Sequence, residues 1–151
     1  MRLSCQKAVL FVAALTLACS EPTLPPVRLA AGFMLESING QPLPAVLNAG
    51  PGDTTRILSA TISFDLAGNA FSADHWRRVY PVNRIEEATL SLRQEYRITG
   101  EDIAVGSFTP CPPNALCIGN KIGKITESTL TLSYDDPTAP VYFYRRLVPF
   151  D

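Results

Sequence analysis

The feature that most constrains this chain is a two-residue alternation of apolar and polar side chains. It returns in segment after segment, and no stretch of useful length follows a helical period. Residues 88–98 show it most cleanly. Ala88, Leu90, Leu92, Gln94, Tyr96 and Ile98 fall on one side, and Thr89, Ser91, Arg93, Glu95 and Arg97 on the other. Successive side chains of an extended backbone point to opposite faces, so such a run is a strand with one dry and one wet face. Leu58, Ala60, Ile62, Phe64 and Leu66 alternate in the same way, as do Leu130, Leu132 and Tyr134. Turn chemistry divides the runs: Asn39-Gly40, Gly68-Asn69, Thr99-Gly100-Glu101-Asp102, and residues 126–129 and 135–140. The pattern predicts strands over residues 32–38, 58–66, 70–80, 88–98, 103–108, 118–125, 130–134 and 141–147. Consecutive strands joined by short turns form an antiparallel meander, and about eight of them close readily into a barrel that has no free edge. A two-sheet sandwich is the alternative that alternation alone leaves open.

At 151 residues and 46% apolar, the chain has the size of one domain and the means to fill its core. Its start is different in kind. Arg2 and Lys7 precede an uncharged apolar run over residues 8–18. Eleven residues are too few for a transmembrane helix, which needs about 20, but they suit the apolar region of a signal peptide. Leu15-Thr16-Leu17-Ala18-Cys19 resembles the lipobox of bacterial lipoproteins. That resemblance implies cleavage before Cys19 and a diacylglycerol on its sulfur, enough for stable attachment to a membrane; secretion without lipid is the alternative. Ser20 resembles the outer-membrane sorting default, which places the protein in the cell envelope facing the periplasm. Residues 21–27 carry three prolines and read as a stiff tether. The expected organisation is a signal peptide helix (1–18), an acylated cysteine with its tether (19–29) and an all-β barrel (30–151). Without residues 1–18 the chain keeps 11 basic and 14 acidic side chains, a net charge of −3, which is no footprint for nucleic acid.

A family resemblance rests on several segments: Gly32-Phe33 with Glu36-Ser37-Ile38-Asn39-Gly40-Gln41-Pro42-Leu43-Pro44, the turn-and-strand units at residues 99–103 and 127–132, and the closing Val141-Tyr142-Phe143-Tyr144-Arg145-Arg146. Together they resemble small bacterial lipocalin-like lipoproteins over residues 30–147. The resemblance implies a lipocalin-like barrel more than any one activity. Lipocalins carry Gly-x-Trp in the first strand, with an arginine of the last strand packed on the tryptophan. Here Phe33-Met34 follows Gly32, and Arg145 or Arg146 is expected over Phe33 as a cation–π contact.

Residues that could carry chemistry are few. Cys111 and Cys117, in an exported domain, are expected to form a disulfide around a proline-rich loop. Asp74-His75-Trp76-Arg77-Arg78 has two readings. An aromatic ring with guanidinium groups can hold a carboxylate or a sugar face, or the stretch is a strand with alternate residues in solvent. Gln94 and Tyr96, on the inward side of the cleanest strand, could bind a ligand or satisfy buried backbone. The candidate ligand residues are therefore Gln94, Tyr96, Trp76 and Arg78. No catalytic residue is assigned. His75 is the only histidine, and no Gly-x-Ser-x-Gly elbow is present. The acidic pairs Glu86-Glu87, Glu101-Asp102 and Asp135-Asp136 sit at turns, and neighbours on a strand point apart. No metal or cofactor is expected. The reading is a non-enzymatic envelope lipoprotein that binds a small apolar ligand. The alternative is an interaction or structural module with a filled barrel, partnered by another envelope protein.

Overall fold

The computed structural model describes residues 27–110 and 119–147. Among these are ten strands and no helix. They are β1 (Ala31–Ile38), β2 (Gln41–Pro42), β3 (Ala45–Ala49), β4 (Thr54–Phe64) and β5 (Asn69–Val79). There follow β6 (Ile85–Thr99), β7 (Asp102–Gly106), β8 (Lys121–Ile125), β9 (Thr129–Tyr134) and β10 (Tyr142–Arg146). Every strand from β4 to β9 pairs antiparallel with its successor. β1 pairs with β10 on one side and β4 on the other, which closes an eight-stranded barrel and excludes the sandwich. Residues 1–26, with the expected signal peptide and Cys19, lie outside the described part, as does the expected Cys111–Cys117 disulfide.

The seam between β1 and β4 is closed along only half its length. Ala31 to Met34 face Phe64 to Thr61, after which the two strands part. Beyond that point β2 pairs with the end of β1 and β3 with the start of β4. The expectation of about eight strands omitted these two, because Pro42 and Pro44 suppress the strand pattern there. The Asn39-Gly40 turn is as expected, with φ of 50° and 76°, the left-handed pair that a two-residue hairpin needs.

The barrel is filled from one end. Phe33, fully buried, packs edge-on to Phe64 at 5.9 Å, and Phe64 packs edge-on to Tyr96 at 5.0 Å. Ile62, Ile98, Ile103, Val105, Leu130 and Leu132 complete the layer. The Tyr96 hydroxyl receives the Leu29 N–H at 2.7 Å and faces the Asp65 and Leu29 carbonyls at 2.9 and 3.1 Å. It thereby clasps the incoming chain and the β4–β5 turn to β6. In the same turn the Asp65 carboxylate accepts from the backbone and side-chain nitrogens of Asn69 at 2.8 and 2.7 Å.

Of three register shifts, two correct the simple alternation of the expected strands. The β4–β5 register shifts between Ile57 and Ser59, so Ile57 is buried and Leu58, expected inside, is displaced to a half-exposed position. Leu66, also expected inside, lies in the turn and is 66% exposed. The second bulge, between Leu35 and Ser37 on β1, lets Leu35 and Ile38 both face the core. The expected stacking of a terminal arginine on Phe33 is replaced by other contacts. Arg145 points outward to the Glu36 carboxylate, with contacts of 2.6 and 3.1 Å, and Arg146 donates to the Glu127 carbonyl at 3.0 Å.

Candidate functional site

At the other end the core stops short and leaves a cavity of about 340 Å³. The splayed seam, the first half of β6 and the start of β8 surround it. Leu35, Ile57 and Ala60 form its apolar floor, and Leu47 and Leu90 its half-exposed rim. Its walls are aromatic: Trp76 from β5, Tyr134 from β9, and Tyr142 and Tyr144 from β10. Three charged side chains reach it, Asp74 and Arg78 from β5 and Lys121 from β8.

Strand alternation explains how β5 builds its part. Asp74, Trp76 and Arg78 share the inward phase, whereas His75 and Arg77 point out and meet Glu87, at 3.8 and 2.5 Å. The two readings of residues 74–78 are thus divided between the two faces of one strand. At the rim Arg78 pairs with Asp53. Of the other candidates, Gln94 lies opposite Ala70 on β6, half-buried and outside the cavity wall. Tyr96 is at the filled end, with its hydroxyl engaged by backbone. Trp76 and Arg78 are therefore brought together and the other two are not.

The electrostatics of the cavity are those of a partly desolvated site, with Asp74 and Lys121 both half-buried. Burial pushes the Asp74 carboxyl above the ordinary carboxylate range, with the positive charge of Lys121 opposing. Burial pushes the Lys121 ammonium down, with Asp74 opposing. The two groups feel each other's charge, yet among the described residues neither is hydrogen-bonded or ion-paired. The Lys121 Nζ instead lies over two aromatic faces, 5.0 Å from the Tyr142 ring and 5.3 Å from the Tyr134 ring. Burial raises the Tyr142 phenol to about 12, and raises Tyr134 and Tyr144 too, all three also feeling Asp74. One carboxyl, one amine and three phenols thus converge on an apolar space.

Lys121 and the three tyrosines escaped the sequence reading. Their signal was weak: Tyr142 and Tyr144 hold one phase of the last strand, and Lys121 holds the inward phase of β8 two residues before Gly123. What makes them a site is their position across the barrel from Asp74, which only closure of the sheet supplies.

A wider depression of about 580 Å³ lies at the filled end, bordered by Val27, Arg28, Asn69 and Arg97. It adjoins the point where the described chain starts. Among the described residues no three His, Cys, Asp or Glu side chains gather as metal ligands. No protein-family model, no curated protein and no solved structure matches this chain.

Proposed function

We propose that this chain is a lipid-anchored protein of the bacterial cell envelope whose lipocalin-like barrel binds a small, mainly apolar ligand. The observation that carries the binding reading is the end cavity. Its volume of about 340 Å³ falls within the range of small-molecule sites, roughly 300–1,000 Å³. Its lining has the usual make-up of such sites, apolar and aromatic walls with a few converging polar groups. A barrel needing only to be stable would fill this space with side chains, as its other end does. The lipid anchor rests on Cys19 directly after the apolar run, and the family reading on the segments at residues 32–44, 99–103, 127–132 and 141–146.

Trp76 is the only tryptophan of the chain and lines the cavity, so its fluorescence reports occupancy. N-phenyl-1-naphthylamine, a neutral apolar dye, is expected to quench Trp76 saturably and to emit by energy transfer from it. A dye signal that is unsaturable, or unchanged when Ala60→Leu fills the cavity floor, would remove the binding reading. For the anchor, labelled palmitate is expected in the wild-type protein and absent from Cys19→Ala; equal labelling of both would remove it.

A second reading, a protein-interaction module, draws on a separate observation. The β5–β6 hairpin carries Val82 and Ile85 at its tip, 83% and 59% exposed. Under that reading Val82→Ser with Ile85→Ser abolishes a crosslink to an envelope protein and leaves dye binding intact.

A further inference from the structure

We propose that the natural ligand of the cavity is an apolar aldehyde or ketone, held by reversible condensation with the side-chain amine of Lys121. This rests on the cavity being a ligand site and names the chemistry of what enters it.

The chain has three lysines, and Lys7 lies in the signal run. The other two, Lys121 and Lys124, stand three residues apart on β8 in opposite settings. Lys124 is outside, its Nζ 2.7 Å from the Asp102 carboxylate, which holds it charged. Lys121 is inside, against the rings of Tyr134 and Tyr142, and burial favours its neutral, nucleophilic form. Asp74 shares the cavity, and burial favours its protonated form. A lysine whose ammonium is destabilised and a carboxyl whose proton is favoured therefore face one partly enclosed, mainly apolar space.

A carbonyl compound uses both. The Nζ lone pair adds to the carbonyl carbon to give a carbinolamine. Asp74 gives its proton to the carbinolamine oxygen, the C–O bond breaks, and water leaves. The products are a protonated imine on Lys121, the Asp74 carboxylate and one water, with nothing oxidised or reduced. The protonated imine keeps the two tyrosine faces and acquires the Asp74 carboxylate as counter-ion. A ligand carboxylate would instead need the ammonium form of Lys121, which burial disfavours. An apolar ligand without a carbonyl would leave both polar groups unpartnered.

The test uses the full chain purified from membranes in detergent. It is incubated with cinnamaldehyde and sodium cyanoborohydride, which reduces the imine to a stable amine, and the adduct is located by peptide mass mapping. The expected result is label on Lys121 about tenfold in excess of Lys124, from confinement and activation in the cavity. Cinnamyl alcohol, which has the same body without the carbonyl, should quench Trp76 and slow the labelling. Lys121→Arg should abolish the adduct, whereas Lys124→Arg should leave both the Lys121 adduct and the binding of N-phenyl-1-naphthylamine intact. If cinnamyl alcohol and the dye quench Trp76 while Lys121 is labelled no faster than Lys124, the imine is overturned and the cavity remains a ligand site. If neither compound quenches Trp76 and labelling is equal at both lysines, the cavity reading falls with it.

Discussion

The two ends of this barrel obey the same alternation and reach opposite results. At the filled end the inward positions are Phe33, Phe64, Tyr96, Leu130 and Leu132, and the one inward hydroxyl is satisfied by backbone. At the open end the inward positions include Asp74, Trp76, Lys121, Tyr134, Tyr142 and Tyr144, and these side chains line the cavity. The difference teaches that closure and capacity are separate properties of a small barrel. Closure follows from strand number and pairing. Capacity follows from which residues occupy the inward phase near one rim, and from a seam that is paired over only half its length.

Four measurements sharpen or break that comparison. The largest effect is expected for Phe33→Ala, which removes a fully buried ring from the filled end. A loss of ~3–5 kcal/mol in urea unfolding is expected, as for other buried aromatic truncations. A loss below ~1 kcal/mol would mean that this end does not carry the stability.

Next comes a pair of identical substitutions at opposite ends. Tyr96→Phe strands the Leu29 N–H and is expected to cost ~1–3 kcal/mol. Tyr144→Phe deletes a hydroxyl with no partner among the described residues, and is expected to leave stability unchanged or raise it slightly. Equal losses in the two variants would contradict the contrast between the ends.

A smaller effect is expected in the pH dependence. The folded-state value of Asp74 is raised above its ordinary 3.8, so the folded chain holds a proton that the unfolded chain releases. Stability therefore falls as pH climbs from that value through the folded one. Lys121 works the other way. Its folded value is lowered below 10.5, so stability rises with pH in the window that ends there. Urea midpoints taken across pH should lose the acid-side slope in Asp74→Asn and the alkaline-side slope in Lys121→Met. An unchanged profile in both variants would show that the cavity is wet.

The smallest effect is expected at the outer surface. Glu36→Gln breaks an exposed ion pair with Arg145, and its urea midpoint should match wild type. A clear loss would assign the β1–β10 seam a polar contribution that packing does not require.

Much of this architecture is legible in alternation alone, because inward and outward residues of β5, β6, β9 and β10 follow a strict period of two. The exceptions have local causes. A bulge at Leu58 shifts phase through the register with β5, which no single strand reveals. β2 and β3 are short and flank prolines, so their pairing is tertiary in origin. The candidate site was half legible: Trp76 and Arg78 stood out as an aromatic ring close to guanidinium groups. Lys121 and the tyrosines did not, since β8, β9 and β10 meet Asp74 only across a closed barrel. Gln94 and Tyr96 share that inward phase on β6 and differ from Trp76 in height along the barrel, a coordinate that alternation does not contain.

The Leu29 clasp also has a geographical meaning. The chain enters β1 at the filled end, where Leu29 is fixed to Tyr96 and Ala31 is paired with Phe64 beside the β4–β5 turn. The described chain therefore starts at the plugged end, opposite the mouth of the cavity. Whatever approaches the cavity does so at the far end of the barrel from this entry, past Leu47 and Leu90.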